Sequence, residues 1–528
     1  MEERKIDFKY ITPMFPYPSG SGLHVGHWFN YALIDSYCRY QKFLGNNVFQ
    51  PFGYDAFGLP AENYAKMVGR DAKEVTYENI DKFRLQMKQM NTFYEELLIT
   101  SDENYQKYTK WIFTKLHEKG LAYKKDGEVD YCISCETVLA REQVKDGKCD
   151  RCNSDIIKKT LNQWYFKITD YAERLYNNLS IIDYPKSTIN AQRKWIGKSV
   201  GYEIDFGEGI VIFTTKPETI LDAKFIVKSG KDAFTGKYAI NPVSKTSIPI
   251  YTAEYVVDGY GTGFVMGVPN DDKRDREFAI KFGIEFSEQK NIVDDISFAT
   301  PKINYRIHDW CISRQRKWGC PIPIDGETDT MDTFVDSSFY FIIYCLLKGV
   351  KPKPVDLYVG GNEHACMHLI YARFITMFLF DIGFIDFEEP FTKVIHQGMI
   401  LNNGEKMSKS KGNAVNLDNY DSDEIRFYLM FIGHYFDGGS WSDSSIKGIQ
   451  RFIAKMKEWF TRSGDDVIDV NKFKKQIFDY TESFKFNKVV SSFMILLNEN
   501  KSKNLSIECK KDIIHLLKIY MPNIENKI

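Results

Sequence analysis

Two histidines three residues apart, His24 and His27, stand where a Gly-, Pro- and Ser-rich stretch (Phe15 to Gly22) runs into a helix-patterned segment. A helix N-terminus presents unpaired amide groups and the positive end of its dipole, so it favours anions such as phosphates. Residues three apart share one face of the first turn. Two imidazoles beside a phosphate can stabilise the charge that builds during nucleotidyl transfer. Alone, an HxGH is weak, because ordinary histidines also cap helices. A second stretch lies far downstream, Lys406-Met407-Ser408-Lys409-Ser410-Lys411-Gly412-Asn413. By itself it is a basic turn. It also suits a triphosphate that must be gripped and released, with lysine as a compact point charge. The third feature is two CxxC pairs, Cys132/Cys135 and Cys149/Cys152, separated by 13 residues. Knuckles so spaced can close a tetrahedral thiolate site for a structural metal ion.

Elements must hold these groups in place. Tyr10 to Met14 reads as a strand, His24 to Leu44 as a helix with apolar residues at helical spacing, and Asn47 to Gln50 as a second strand. That is a βαβ unit, the elementary piece of a doubly wound parallel sheet. A charged helical stretch fills about Lys73 to Gly120. From Val200 to Glu285 short β-like runs (Ile210 to Thr214, Tyr255 to Val257, Gly263 to Val268) indicate an inserted β-rich domain. The α/β texture returns near Tyr305 with Leu357 to Gly361, a helix from about Ala365 to Ile382, and Thr392 to Ile400. Beyond about Ser442 amphipathic helices follow.

The bulk numbers bound the class. With 528 residues the chain needs three or four domains, and 43% hydrophobic with 27% charged residues is ordinary for a globular protein. A net charge of -1 gives no global basic excess for nucleic acid, although the C-terminal part is lysine-dense. No apolar run reaches the length of about 18 residues that a membrane span needs. The N-terminus lacks a secretory apolar stretch, so the expected location is the cytoplasm. Ten cysteines, four of them paired as above, point to metal and not to disulfides.

HxGH early and KMSKS late form a signature pair, and the chain resembles class I aminoacyl-tRNA synthetases, the leucyl-tRNA synthetases in particular. The stretches that carry the resemblance are MFPYPSG at Met14 to Gly20, DAFGLPAEN at Asp55 to Asn63, TVLAREQV at Thr137 to Val144, QWYFKITDYAERL at Gln163 to Leu175, SRQRKWGCPIPI at Ser313 to Ile324, DTMDTFVDSS at Asp329 to Ser338, QGMIL at Gln397 to Leu401, and KMSKSKGN. Together they run from about residue 9 to about residue 460.

The resemblance implies an α/β fold: a Rossmann-like, doubly wound parallel-sheet catalytic domain with inserted zinc-ribbon-like and β-rich editing-type domains and a C-terminal helical domain. The implied boundaries are 1–125 and 301–440 for the catalytic halves, 126–160 for the zinc-ribbon-like insertion, 161–197 for a connecting segment, 198–300 for a shortened editing-type domain, and 441–528 for a shortened helical anticodon-binding-type domain. It implies ATP-dependent activation of leucine and transfer to leucine tRNA, with Mg²⁺ accompanying the ATP and a structural Zn²⁺. His24, His27, Lys406 and Lys409 would be catalytic. Gly26, Gln397, Gly398, Met399, Lys406 and Lys409 would bind ATP. Asp55 would hold the substrate ammonium, with Tyr17 and His364 as walls of the amino-acid pocket. Cys132, Cys135, Cys149 and Cys152 would hold the zinc. Thr214, Thr215, Thr219, Asp272 and Asp275 would line an editing pocket. The expected partners are leucine and tRNA, with no membrane, no DNA and a monomeric chain.

The sequence departs from the pattern in places. TTKPET at Thr214 to Thr219 replaces Arg by Lys216 and Asp by Glu218. Asn270-Asp271-Asp272 stands for Ala-His-Asp, and the segment is short. Lysine lacks the planar bidentate donor of arginine. Active editing and a residual structural domain are both open on this evidence. His308-Asp309-Trp310-Cys311 and Phe339 also depart, the insertion before KMSKS is missing, and the resemblance places Ile528 partway through the helical domain, short of an elbow-binding domain. Beside the leucine ligase stand a paralogue that delivers an aminoacyl-adenylate to another acceptor and a non-catalytic RNA-binding relic.

Overall fold

Lys9–Pro13 is buried from Tyr10 onward on both faces, as a strand inside a parallel sheet must be. In the computed structural model, which describes residues 7–18, 20, 22–139, 144–149, 152–256, 263–402, 404–407, 415, 417 and 420–527, it pairs in parallel with Val48–Phe49 on one side and Leu357–Gly360 on the other. Val394–His396 extends the sheet beyond Leu357–Gly360, again in parallel. Chain direction reverses its winding between Lys9–Pro13 and Leu357–Gly360, so a crevice opens at the carboxyl ends of these strands.

The expected βαβ start is present, with the helix running Val25–Phe43 and His24 as its cap. The charged stretch near Lys73 to Gly120 is two helices, Ala72–Gln89 and Glu103–Glu118, and not one. Between them Glu95–Ile99 forms a strand paired with Pro51–Tyr54. Asn91, at φ 50°, breaks the helical run. The run Thr392 to Ile400 likewise divides into Val394–His396 and Met399–Asn402.

The chain forms two compact units. The first comprises residues 1–166, 181–188 and 311–528. Its core joins the first helix to Ser422–Phe431 and to the helices Asp443–Thr461, Val470–Glu482, Phe486–Asn500 and Ile507–Leu517. Arg426, wholly buried, donates to Asp35 at 2.8 Å and to the carbonyls of Met90 and Tyr520, and so ties the first helix to the C-terminal helices. The helix Ser422–Phe431 is started by Asp421, whose carboxylate accepts from the amides of Asp423 and Glu424. Asp421→Ala should cost about 1 kcal/mol in denaturant unfolding. The long ribbon of Ala122–Cys132 against Ile156–Phe166 carries the cysteine knuckles at its tip.

The second unit comprises residues 167–180 and 189–310, and so includes stretches that the sequence reading assigns to a connecting segment. It holds a three-stranded antiparallel sheet, with Lys198–Asp205 between Val211–Thr214 and Ala299–Tyr305. A four-stranded sheet follows, ordered Ala233–Ile240, Ser247–Ala253, Phe225–Ser229, Phe264–Gly267, with the helix Lys273–Phe282. Of the expected run Tyr255 to Val257, Tyr255 and Val256 lie in a turn and Val257 lies outside the described residues.

Candidate active site and metal centre

A cleft of about 790 Å³ opens at the carboxyl ends of the parallel strands. Its walls are the turn after the first strand (Phe15 to Tyr17), the first helical turn, Gly360 to His364 after the third strand and His396 to Ile400 after the fourth. His24, Gly26, His27, Tyr17, His364, Gln397, Gly398 and Met399 all face it.

The two histidines are locked by each other. His24 Nδ1 accepts from the His27 amide at 3.3 Å, and His27 Nδ1 accepts from the His24 amide at 3.2 Å, a reciprocal capping box. Their rings stack with centroids 3.8 Å apart. An accepting Nδ1 carries no proton, so each neutral ring bears its N–H at Nε2. Gly26 leaves room for this stack: an added Cβ would stand 3.0 Å from the His24 ring and press it out of place. Gly398 is required outright. Its backbone lies so close to Gly438 that a Cβ would sit 2.0 Å from the Gly438 nitrogen.

Gln397, which lines the cleft, leaves its amide oxygen buried with no hydrogen-bond partner among the described residues. His396 beside it, which the sequence reading passed over, is held at both nitrogens: Nδ1 to the Gly360 carbonyl at 2.9 Å and Nε2 to the Thr188 hydroxyl at 2.6 Å. Burial holds its pKa below the usual imidazole value, so it is a neutral strut. Asp183 and Ser187, from the segment before Thr188, complete the wall. A histidine closing an otherwise apolar strand was the only signal for this group in the sequence.

Strand Met399–Asn402 pairs with Glu405–Lys406, Leu401 opposite Lys406, so the KMSKS stretch starts beside the cleft, and Met407 lines it. Of Lys406 only the backbone is described, and Lys409 lies outside the described residues.

Asp55 does not line the cleft. It lies behind the Tyr17 turn, with its amide donating to the Pro16 carbonyl at 3.0 Å and its side chain 1% exposed. Oδ1 accepts from the Thr333 hydroxyl at 2.9 Å, while Oδ2 is buried and has no partner among the described residues. Burial pushes the carboxyl up to about 8, although hydrogen bonds from Thr333, Tyr17 and Thr100 pull the other way. A buried carboxylate with one oxygen unpartnered has the chemistry to pair with a cation.

The cysteines converge. The four sulfurs lie within 4.8 Å of one another, with Cys132–Cys152 at 3.4 Å and Cys135–Cys149 at 4.0 Å. Sulfurs of a zinc tetrathiolate, at Zn–S of about 2.3 Å, lie about 3.8 Å apart, so the set fits that ion. The Cys135 amide donates to Cys132 Sγ at 3.3 Å, fixing the first knuckle.

In the second unit, Asp275 is buried and spends one oxygen on the Tyr255 hydroxyl at 2.7 Å and the other on the Val268 amide at 2.8 Å. An incoming amino group would have to displace one of them. Asp272 caps Lys273–Phe282 and pairs with Arg274 at 3.2 Å. Thr219 donates to the Lys216 carbonyl at 2.8 Å, Thr214 accepts from the Lys216 amide at 3.1 Å, and Thr215 is exposed. Lys216 is engaged by Asp271, which also pairs with Lys290 at 2.7 Å.

Known proteins share this sequence and fold. The family described as tRNA synthetases class I (M) matches residues 9–201 and 286–451, and the leucyl-tRNA synthetase editing domain matches residues 227–297. Leucine–tRNA ligase of Clostridium tetani (strain Massachusetts / E88) is 36% identical over 690 residues, covering 98% of this chain and 85% of the relative. That of Clostridium botulinum (strain Hall) is 37% identical over 97% of this chain and 83% of its own. The match to the first runs over more positions than this chain has residues, so that relative carries internal segments absent here. Among solved structures, the Agrobacterium radiobacter K84 agnB2 LeuRS, in a ternary complex with tRNA and LeuAMS, superposes with a TM-score of 0.87 at 29% identity, over 99% of this chain and 85% of that one. A Mycobacterium tuberculosis methionyl-tRNA synthetase, at 16% identity and a TM-score of 0.59 over 99% of this chain and 93% of its own, shares the fold. With its signature histidines at the carboxyl end of the parallel sheet and near full-length kinship to leucine–tRNA ligases, the chain belongs to the leucyl-tRNA synthetase family of class I enzymes.

Proposed function

We propose that the chain joins leucine to ATP as leucyl-adenylate and passes the leucyl group to leucine tRNA. A leucine carboxylate oxygen attacks the α-phosphorus and pyrophosphate leaves. A terminal ribose hydroxyl of the tRNA then attacks the carbonyl carbon and AMP leaves. His24 and His27 donate from Nε2 to phosphate oxygens, Gln397 Oε1 accepts from the adenosine, and Asp55 Oδ2 takes the substrate ammonium, with Tyr17 and His364 as neighbouring walls. Lys406 and Lys409 meet the departing phosphates. Mg²⁺, when bound with ATP, neutralises phosphate charge. Zn²⁺ on Cys132, Cys135, Cys149 and Cys152 is structural. The observation that carries the reading is the unpartnered Asp55 oxygen, buried behind a turn whose front lines the cleft at the capped helix N-terminus.

The test is ATP–pyrophosphate exchange with all twenty amino acids, followed by charging of purified leucine tRNA. Leucine-dependent exchange with charging supports the reading. Exchange without charging replaces the tRNA by another acceptor, and exchange with no amino acid overturns it.

A pH dependence follows. Free Asp55, held at about 8, is mostly protonated at neutral pH and must release its proton to meet an ammonium. Leucine KM should therefore rise about tenfold between pH 7 and pH 6, and calorimetry in buffers of different ionisation enthalpy should detect proton release on leucine binding. A flat KM across that range would exclude Asp55 as the receptor.

A further inference from the structure

The cysteine site is not a remote staple. Leu59, in the first turn of the helix that follows Asp55, packs in one apolar cluster with Cys132, Cys135, Leu139 and Cys149. A polar path runs beside it. Thr137 stands opposite Cys132 in the strand register, and its hydroxyl accepts from Arg316 at 3.1 Å (Nε) and 3.0 Å (Nη2). Arg316 reaches towards Glu62 at 3.9 Å, and the other Glu62 oxygen accepts from the Trp318 amide at 3.2 Å. The Trp318 indole donates to the Ala56 carbonyl at 2.7 Å, one residue past Asp55. Trp318 thus grips both ends of the segment Ala56 to Glu62.

Arg316 is a largely buried cation whose ion pair with Glu62 is long, at 3.9 Å. Burial and the neighbouring Arg314 both disfavour its charge, while Glu62, Asp332 and the Cys135 sulfur favour it. Four thiolates around a divalent ion carry a net charge of two negatives, which adds to the counter-charge of the two carboxylates.

We propose that Arg316 is a positioning residue that couples the four-cysteine metal site to the seat of Asp55, so that amino-acid affinity and metal affinity depend on each other. The inference rests on the reading that these cysteines hold zinc and that Asp55 receives the leucine ammonium. Coupling of two sites is reciprocal in binding free energy. Zinc should lower leucine KM, and leucine should tighten zinc by the same factor, about tenfold for coupling of ordinary size.

The experiment uses the full chain. Zinc content is measured first, then zinc affinity by competition with a chromogenic chelator, with and without saturating leucine. Leucine KM in pyrophosphate exchange is measured for zinc-loaded and zinc-depleted protein. In the wild type, leucine should tighten zinc about tenfold and zinc depletion should raise leucine KM, matching that factor where KM reports the dissociation constant, with kcat moving less. Arg316→Gln should bind zinc and leucine but abolish the mutual effect, and Arg316→Lys should restore part of it. Thr137→Val keeps all four thiols and the strand shape, and should weaken the coupling in the same direction; it serves where Arg316→Gln fails to fold. Protein without zinc overturns the metal reading and the proposal with it. Absence of leucine-dependent exchange overturns the ligase reading instead. Zinc bound and leucine activated, with zinc affinity indifferent to leucine, or with the coupling intact in both Arg316→Gln and Thr137→Val, overturns this inference alone.

Discussion

Asp55→Asn should lower kcat/KM for leucine in pyrophosphate exchange about 1000-fold, through KM above all, and leave ATP binding unchanged. Asparagine keeps the side-chain volume and an oxygen for the Thr333 hydroxyl. What it loses is the charge on the open Oδ2, and it turns an N–H donor towards an incoming ammonium. Loss of a buried charge partner costs more than loss of an exposed one, and Asp55 is almost wholly enclosed. The same variant has a stability signature of defined sign. The Asp55 carboxyl is raised in the folded chain, so the native state holds a proton that the unfolded chain releases between about 4 and about 8. That contribution is present at acid pH and is lost as pH rises through this window. Asp55→Asn should therefore lose less stability than the wild type between pH 5 and pH 8 in denaturant titrations. Leucine KM within threefold of the wild type would remove Asp55 from the amino-acid site.

How much of this could be seen in the chain differs from group to group. The helix starting at His24 was readable because glycine, proline and serine end where helical spacing begins, and the structure puts the cap at that residue. The CxxC pairs were readable because their ligands are close in sequence. The strand Glu95–Ile99 was not, because its pairing with Pro51–Tyr54 is tertiary and its charged edge resembles the helices on either side. Asp55 was reached only through resemblance. The feature that the proposed role rests on, an oxygen left without a partner while Thr333 binds the other from 278 positions away, depends on contacts that no local pattern encodes. His396 and Thr188, 208 positions apart, were missed for the same reason.

His27 offers the second large effect, and a way to separate its two jobs. Its Nδ1 caps the helix by accepting the His24 amide, and its ring lies between those of His24, at 3.8 Å, and Tyr31, at 5.8 Å. With the proton fixed at Nε2, the ring is a preorganised donor that pays no reorganisation when charge builds on phosphate. His27→Asn puts an amide oxygen near the Nδ1 position, so it keeps the cap, but it has nothing at the reach of Nε2. It should unfold within about 0.5 kcal/mol of the wild type yet lose 10²- to 10³-fold in the kcat of exchange. His27→Ala should lose the same rate and also about 1 kcal/mol of stability, because the cap goes too. Exchange at the wild-type rate in His27→Asn would mean that the ring is only a cap, and that the charge on the transferring phosphate is met without it.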